Sequence, residues 1–376
     1  MPSRGTGVPP APARSGLRYT GGVSAPHVPG SYLVLETTNT CSLACVHCAV
    51  GEAGHPHHAR TGFLPLPLAQ KLFADLVSVG ARFDTFLPFW LGEPLVHPEF
   101  GALYQLALRT ASEHGTFGRI EVHTNATHLT PARMRVALNT SPVPQVWHLT
   151  LDADTPATYL AVKGVDRFEV VVRQVDAFLA AKAERRARWP RLVLQYIVSD
   201  RNAAEVPGFR ARWEGRCRAR GLPGRASAQE VPDGDDVVLF FRQLDCPTAE
   251  EQARQNGVFR EVARREGLGL PRATQTPEVV EGPNTAVCGC FWKSPVVGWD
   301  GRVTTCTRDN TFQNVLGSIA DTPFHEVWWG AGMRSRRAAV ARADYRGLPA
   351  CQDCFIPRSA NYSAVTPAEI EAHERA

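Results

Sequence analysis

The sequence predicts an α/β fold in which repeated βα units build a parallel sheet and a small second domain follows. Apolar, strand-like runs alternate with amphipathic helical segments over most of the first 245 residues, and six such units can be counted. Polar or glycine-containing sequences repeatedly come directly after the strands. Because the active sites of parallel βα barrels collect at the carboxyl ends of the strands, these sequences form the candidate site.

The six units are assigned from apolar runs and from apolar residues spaced three and four apart. The strands are predicted at Tyr32–Glu36, Phe83–Phe89, Arg119–His123, Val146–Leu151, Leu192–Val198 and Val237–Arg242. The helices between them are predicted at Pro67–Val79, about Pro98–His114 and about Phe168–Arg186. The first strand leads directly into a cysteine-containing loop, which places that loop at the candidate site.

The chain changes character after the sixth unit. From residue 246 to about 283 it is charged and helical with interspersed Pro and Gly, which indicates a linker or lid. Further on, Asp300-Gly301 separates Val296–Trp299 from Arg302–Thr305 and predicts a hairpin whose two turn residues both have positive φ. A helix is predicted at Thr322–Ala341. The expected organisation is a disordered tail at 1–29, a βα domain at 30–245, a linker or lid at 246–283, a cysteine-containing domain at 284–360 and a tail at 361–376.

Composition narrows the possible functions. The chain has 376 residues, of which 44% are apolar, and a formal net charge of +4 from scattered basic residues. These values predict a sizeable core and give no nucleic-acid or membrane footprint. The Pro- and Gly-rich start has no apolar run of signal-peptide length, so a cytoplasmic protein is expected. Since the cytosol keeps thiols reduced, the ten cysteines call for metal or catalytic roles before disulfides.

Three of the cysteines, Cys41, Cys45 and Cys48, lie within eight residues. Their spacing, C-x3-C-x2-C, is typical of a loop that holds an iron–sulfur cluster. A [4Fe–4S] cluster normally takes four thiolates, so a loop with three leaves one iron open for a small chelating ligand. Zinc is the alternative, because C-x2-C pairs also occur in zinc sites.

With this loop and the motifs that follow, residues 30 to 245 resemble radical S-adenosylmethionine (SAM) enzymes. The resemblance implies a partial (β/α)6 TIM-like barrel and a [4Fe–4S] cluster whose open iron binds SAM and generates a 5′-deoxyadenosyl radical. The family's Gly-Gly-Glu-Pro stands here as Leu91-Gly92-Glu93-Pro94, without the first glycine. The resemblance implies that Glu93 and the backbone around Gly92 and Pro94 meet the SAM ammonium group. His47 stands where the family often has a residue beside the adenine; a loop residue without ligand contact is the alternative.

Two further tripeptides resemble family sequences at strand ends. Thr124-Asn125-Ala126 is similar to Thr-Asn-Gly after the third strand, and Thr150-Leu151-Asp152 is similar to Ser-Leu-Asp on the fourth. The resemblance gives this region a role in supporting the ribose and the carboxylate of SAM. The alternative is that both sequences only cap strand ends.

The C-terminal cysteines resemble the auxiliary-cluster domain of many radical SAM enzymes, called SPASM or, in a shorter form, twitch. The family pattern stands here at Cys288, Trp292, Trp299-Asp300-Gly301 and Cys306, and Cys351 and Cys354 supply two more ligands. The resemblance therefore implies the one-cluster form, with a second [4Fe–4S] cluster. Four protein thiolates suit electron transfer rather than substrate binding. Zinc is the alternative metal, and Cys290 is the rival of Cys288.

Four groups outside the clusters are candidates for acting on the substrate. Cys246, and less so Cys217, could return a hydrogen atom to a substrate radical, although a buried structural thiol is the default for both. His148 and Asp152 lie near a strand end and are candidates for the base that takes a hydroxyl proton. SAM support or packing is the alternative for either.

The predicted function is a radical SAM dehydrogenase that oxidises a secondary alcohol of an aminocyclitol or sugar, with the second cluster accepting an electron. The cluster spacing is similar to that of the aminocyclitol dehydrogenase of butirosin biosynthesis. This similarity is in cluster layout and does not imply the substrate, and an antibiotic, aminoglycoside-type pathway is the expectation. A flavodoxin or ferredoxin is the expected electron donor. The alternatives are an epimerase or dehydratase on similar substrates, a peptide-modifying enzyme, and a non-catalytic zinc or iron–sulfur module.

Overall fold

The computed structural model describes residues 25–228, 237–270, 286–356 and 365–374. The strands are Tyr32–Leu35 (β1), Phe83–Leu87 (β2), Phe117–Thr124 (β3), Gln145–Thr150 (β4), Arg191–Val198 (β5), Gly224–Ser227 (β6), Val237–Gln243 (β7), Val296–Val297 (β8), Arg302–Thr304 (β9) and Gly317–Ser318 (β10). They form one sheet in the order β10-β9-β8-β1-β2-β3-β4-β5-β7-β6. All neighbours from β8 to β6 in this order are parallel, and only β8-β9 and β9-β10 are antiparallel.

The helices of the barrel region lie mostly between successive strands. They are Leu66–Ser78 (α1), Phe100–His114 (α2), Pro131–Ala137 (α3), Pro156–Lys163 (α4), Phe168–Arg185 (α5), Val206–Arg218 (α6) and Ala249–Arg265 (α7). Short 3₁₀ helices lie at Pro56–Ala59, Pro94–Val96 and Ala203–Glu205, and the C-terminal helices at Cys290–Lys293, Phe324–Trp329, Ala331–Val340, Pro349–Gln352 and Pro367–Glu374. The predicted α/β fold, a mostly parallel sheet forming a partial barrel with a C-terminal cysteine-containing region, is confirmed. In the part of the chain that the structure describes, no helix is long and apolar enough to cross a membrane.

Three local predictions are corrected by the structure. Strand β6, which pairs with β7 at the sheet edge, was not predicted because its four residues, Gly-Arg-Ala-Ser, contain no apolar run. The helix predicted at Thr322–Ala341 is two helices, since Gly330 is extended and a Cβ there would lie 1.9 Å from the carbonyl oxygen of Glu326. In the hairpin only Gly301 has positive φ, and the N–H of Gly301 donates to the carbonyl of Gly298.

The predicted linker or lid and the two predicted tails are only partly described. The predicted linker or lid begins with α7, which packs on β7 through a buried face that includes Phe259 and Val262. Residues 271–283 of that segment, and residues 1–24 of the predicted N-terminal tail, lie outside the described residues. In the segment predicted as a C-terminal tail, Glu369 pairs with Lys293 at 2.9 Å.

Strand β3 shows how the sequence separates the core from the inside of the barrel. Successive side chains of a strand point to opposite faces. Ile120 and Val122 are fully buried in the core. The alternate residues Arg119, Glu121 and His123 line a cavity inside the barrel. The apolar face of β3 therefore packs in the core, and its charged face contributes side chains to the cavity wall.

Glu36 joins the end of β1 to the C-terminal hairpin. It is 1% exposed, and its Oε2 accepts a hydrogen bond from the N–H of Trp299 at 3.2 Å. Burial raises the pKa of Glu36 to about 7, against the opposing effect of the N–H groups of Trp299 and Leu91. The buried carboxyl therefore carries a proton in the folded chain at pH values where it has lost it in the unfolded chain.

This pKa predicts a pH-dependent stability. Because the folded-state pKa of Glu36 lies above its ordinary value of 4.5, the carboxyl's contribution to the free energy of unfolding is complete at low pH and decreases as pH rises from 4.5 to about 7. The free energy of unfolding of Glu36→Gln is expected to exceed that of the wild type by about 3 kcal/mol at pH 8 and by less than about 1 kcal/mol at pH 5. Anaerobic urea unfolding of the full chain measures both, with the exposed Glu113→Gln as control. An equal difference at the two pH values would contradict the assignment.

Candidate active site

The three-cysteine loop follows β1 and is held against the end of α4. The N–H groups of Ala44 and Val46, on either side of Cys45, donate to the carbonyls of Lys163 and Val162, both at 3.0 Å. The position of Cys45 is therefore fixed by backbone contacts that do not depend on its side chain.

Burial dominates the chemistry of the three thiols. It raises the pKa of Cys41 to about 12, with the Glu93 carboxylate adding to the effect, and it also raises the pKa of Cys45 and of Cys48, which Lys163 partly opposes. The side-chain amide of Asn125 donates to Cys41 Sγ at 3.4 Å. Such thiols become thiolates at neutral pH beside a concentrated positive charge, and a bound metal supplies one. The donor set therefore fits the predicted iron–sulfur cluster.

Glu93 brings the predicted SAM-binding residues together. It is 2% exposed, and its Oε1 accepts from the Leu95 N–H at 3.0 Å and from the Thr124 hydroxyl at 2.6 Å. Its Oε2 accepts from the Asn125 N–H at 2.7 Å. Burial raises the pKa of Glu93 to about 7, against these donors. Since a carboxylate offers about four lone-pair sites, one remains for the ammonium group that the sequence assigns to it.

Gly92 permits a close approach between two loops. A Cβ at this position would lie 2.2 Å from the carbonyl oxygen of Thr38 and 2.6 Å from that of Thr40. The adjacent N–H of Glu93 donates to the same Thr40 carbonyl at 2.8 Å. The second glycine of the motif is thus required sterically, and Pro94 follows it as the buried first residue of a 3₁₀ helix.

Asp152 is fully buried and lies at the end of β4 with a φ of +59°. Its Oδ2 lies 2.5 Å from Lys163 Nζ, and its Oδ1 accepts from the Ile197 N–H at 2.6 Å. Thr150 donates to the carbonyl of Thr124 at 3.2 Å. With both oxygens engaged, Asp152 is arranged to hold Lys163 beside the three-cysteine loop. These contacts give no support to the base role predicted for Asp152, while its role in SAM support remains a prediction.

A cavity of about 1210 Å³ lies inside the barrel. The three-cysteine loop contributes His47 and Cys48 to its wall, and the C-terminal region contributes Thr307 and Arg308. Cys246 also lines the cavity. Burial lowers the pKa of His47 to about 4, so its imidazole is neutral at pH 7. The cavity therefore touches both of the cysteine-containing regions that the sequence singled out.

Two histidines and a carboxylate meet in the cavity wall. His123 Nε2 lies 2.9 Å and His148 Nε2 lies 3.2 Å from Glu121 Oε1. Hydrogen bonds from both imidazoles hold the pKa of Glu121 well below its usual value, although burial opposes this. His148 was predicted as a candidate base. Glu121 and His123 were missed, although the alternation of polar and apolar residues in β3 was a usable signal.

Five cysteines come together in the C-terminal region. The thiols of Cys351 and Cys354 interact electrostatically with those of Cys288 and Cys306, and burial raises the pKa of both. Cys290 is 2% exposed and contacts Cys288 and Cys306. Cys290 thus lies beside two of the four predicted ligands, and the choice between Cys288 and Cys290 stays a prediction.

Backbone and amide N–H groups point at two of these sulfurs. The Arg308 N–H donates to Cys306 Sγ at 3.4 Å, and the Asn314 side-chain amide donates to Cys351 Sγ at 3.1 Å. Donors of this kind stabilise metal-bound thiolates and tune the potential of iron–sulfur clusters. The C-terminal cysteines therefore fit a second cluster.

Among the described residues, Glu121, His123 and His148 form the one group of three or more possible metal ligands whose atoms all lie within 4.8 Å of one another. The choice between iron–sulfur clusters and zinc at the two cysteine groups stays a prediction.

The two cysteines outside these groups differ in position. Cys217 is fully buried in α6, which packs against β6 and β7. It lies so close to Gly224 that a Cβ at that glycine would contact it. Cys246 is 2% exposed, lies next to the cavity, and has its Sγ 3.9 Å from the carbonyl of Leu244. Burial raises the pKa of each thiol to about 11. Of the two, Cys246 is placed to meet a substrate.

A family model matches the C-terminal cysteine-containing region of the chain. Residues 288–355 match the family model SPASM, an iron–sulfur cluster-binding domain. No curated protein sequence is significantly similar to the chain.

Solved structures share the fold at low identity. Native anSMEcpe with bound AdoMet has a TM-score of 0.55 and 13% identity over 92% of this chain and 94% of that one. Streptococcus suis SuiB bound to S-adenosylmethionine has a TM-score of 0.52 and 13% identity over 84% of this chain and 68% of that one. BtrN in complex with AdoMet and 2-DOIA has a TM-score of 0.44 and 15% identity over 86% and 91%. The predicted resemblance to radical SAM enzymes with a C-terminal SPASM domain is thereby confirmed in fold and in the matched domain, and it does not indicate a substrate.

Proposed function

We propose that this chain is a radical SAM dehydrogenase that oxidises a secondary alcohol of an aminocyclitol or sugar. The observation that carries the proposal is the shared cavity: its wall includes His47 and Cys48 from one cysteine site and Thr307 and Arg308, directly after Cys306, from the other. When bound, SAM and the two clusters would supply a 5′-deoxyadenosyl radical that takes one hydrogen atom and an acceptor for one electron. A substrate in this cavity would lie next to both cysteine sites.

Polar groups in the cavity wall support a hydroxyl-rich substrate. Gln195, Gln255 and Asn310 offer amide groups, and Asp200 and Glu251 offer carboxylates. Arg254 pairs with both of these carboxylates, and the six arginines of the wall nearly balance its five carboxylates. Neutral hydrogen-bonding groups and paired charges match a polyol or amino sugar better than a strongly charged ligand.

The test is an anaerobic assay of the full chain with reconstituted clusters, dithionite and SAM. The probes are myo-inositol, glucosamine, streptamine and a serine-containing peptide, the last because SuiB and anSMEcpe have been solved with the peptides SuiA and Cp18Cys. We expect 5′-deoxyadenosine and a ketone in equal amounts from a cyclitol or sugar. Formation of 5′-deoxyadenosine with no carbonyl product from any probe would exclude the dehydrogenase.

An epimerase is the second candidate, because Cys246 lines the same cavity and could return a hydrogen atom. Incorporation of deuterium from D₂O into a product of unchanged oxidation state would select it. Cys246→Ala would then stop turnover. Cys217→Ala is the matched control, since Cys217 is buried in α6.

A further inference from the structure

Two imidazoles converge on one carboxylate oxygen in the cavity wall. The register of β3 and β4 places His123 directly opposite His148, and Glu121 precedes His123 by two residues on the same face. The Nε2 atoms of the two histidines lie 2.9 and 3.2 Å from Glu121 Oε1. The side chains of His123, His148 and Glu121 are 17%, 7% and 15% exposed. The arrangement is built into two neighbouring strands.

The ring orientations exclude a shared metal ion. An imidazole binds a metal through a lone pair in the plane of its ring. The rings of His123 and His148 are stacked, with centroids 3.9 Å apart and planes only 9° from parallel. One ion cannot lie in both planes at bonding distance from both nitrogens. The cluster is therefore a hydrogen-bonded one, in which His123 Nε2–H donates to the Glu121 carboxylate.

The second nitrogen differs between the two rings. His148 Nδ1 lies 3.3 Å from the Oε1 atom of the Gln195 side-chain amide and is already engaged. His123 contacts Glu121 through Nε2 and stacks between His148 and Phe89, whose ring centroid is 4.3 Å away. Within the described residues, no hydrogen-bonding group lies at His123 Nδ1. With Nε2–H held by Glu121, that nitrogen carries a free lone pair in the cavity wall.

We propose that His123 Nδ1 is the base that takes the proton of the substrate hydroxyl and that Glu121 positions it. The inference rests on the proposed function. In the oxidation, the carbon loses a hydrogen atom and an electron to the acceptors named above, the O–H bond breaks, and a C=O bond forms as the proton moves to Nδ1. His148, predicted from the sequence as the base, instead shares the carboxylate and fixes the His123 ring by stacking.

The surrounding charges determine how the base responds to pH. The charged and titratable groups on the strands around the ring are Arg119 and Glu121 on β3, His148 on β4, Arg191 on β5 and Arg242 on β7. Burial, the neighbouring His148 and Arg242 lower the pKa of His123 to about 4, while Glu121 opposes them by favouring a proton on the ring. The rate of ketone formation is expected to increase with pH as His123 loses its proton. Removing the Glu121 charge should therefore move this increase to lower pH.

The experiment compares His123→Gln with the wild type on whichever probe the wild type oxidises. The glutamine amide keeps a donor near Glu121 but places no base at the Nδ1 position. Ketone formation is expected to fall about 100-fold or more, while 5′-deoxyadenosine continues to form because hydrogen abstraction does not need the base. His114→Gln, at the exposed end of α2 and outside the cavity, is the control. Unchanged ketone formation in His123→Gln would overturn the inference.

Two further readouts keep the inference separate from the proposed function. Glu121→Gln is expected to shift the pH profile, whereas a merely structural role would lower the rate equally at every pH. Nitrogen-15 NMR of histidine-labelled, oxidised holo chain is expected to show His123 with Nε2–H and unprotonated Nδ1 at pH 7. A proton on Nδ1 would overturn the assignment even if the wild type oxidised no probe, a result that by itself would refute only the proposed function.

Discussion

Cys45→Ser is expected to abolish formation of 5′-deoxyadenosine and to reduce the iron content from about eight to about four atoms per chain. A serine hydroxyl does not ionise at neutral pH and is a poor ligand for iron. The backbone around residue 45 is held by the Ala44 and Val46 N–H groups, so the substitution should remove a ligand without moving the loop. Anaerobic SAM-cleavage assays and iron and sulfide analysis measure both effects.

The matched control for this loop is Cys217→Ser, because Cys217 is fully buried and lies outside both cysteine groups. It is expected to keep about eight irons and normal SAM cleavage, with at most reduced stability. SAM cleavage by Cys45→Ser at the wild-type rate would show that the three-cysteine loop is not the radical source. Zinc in place of iron in the wild type would refute the cluster assignment.

Cys306→Ser is expected to separate the formation of 5′-deoxyadenosine from the formation of ketone. The three-cysteine site is untouched, so 5′-deoxyadenosine should still form, while ketone formation should be lost because the electron acceptor is missing. Cys306 is the strongest choice because its sulfur accepts the Arg308 N–H at 3.4 Å and the next two residues line the cavity. Iron analysis should give about four atoms per chain, and ketone should be measured in the same samples.

Cys290→Ala tests the rival ligand beside it. Cys351 and Cys354 interact with Cys288 and Cys306. We therefore expect Cys290→Ala to retain about eight iron atoms per chain and Cys288→Ala to retain about four. The reverse result would make Cys290 the ligand. Undiminished ketone formation by Cys306→Ser would show that the electron leaves by another route.

Much of the fold follows from local patterns. The six predicted strands coincide with β1 to β5 and β7 to within about two residues, because Val, Leu, Ile and Phe in runs or in alternation with polar residues signal strands. Strand β6 lacks that signal and is paired only because β7 lies next to it. The break at Gly330 was not predicted, because the flanking residues 324–340 have apolar residues at helical spacing. The glycine permits a close approach to the Glu326 carbonyl that a Cβ would block.

The sequence by itself determined the order of the βα units, the two groups of cysteines and the motif around Glu93, because each of these is a pattern within a short stretch of chain. The tertiary structure decided which polar side chains meet. Lys163 reaches Asp152 and the three-cysteine loop only because α4 packs against that loop, and His123 stacks on His148 only because β3 and β4 pair in that register. Contacts of this kind depend on strand register and on how helices pack on the sheet, which no local sequence pattern specifies.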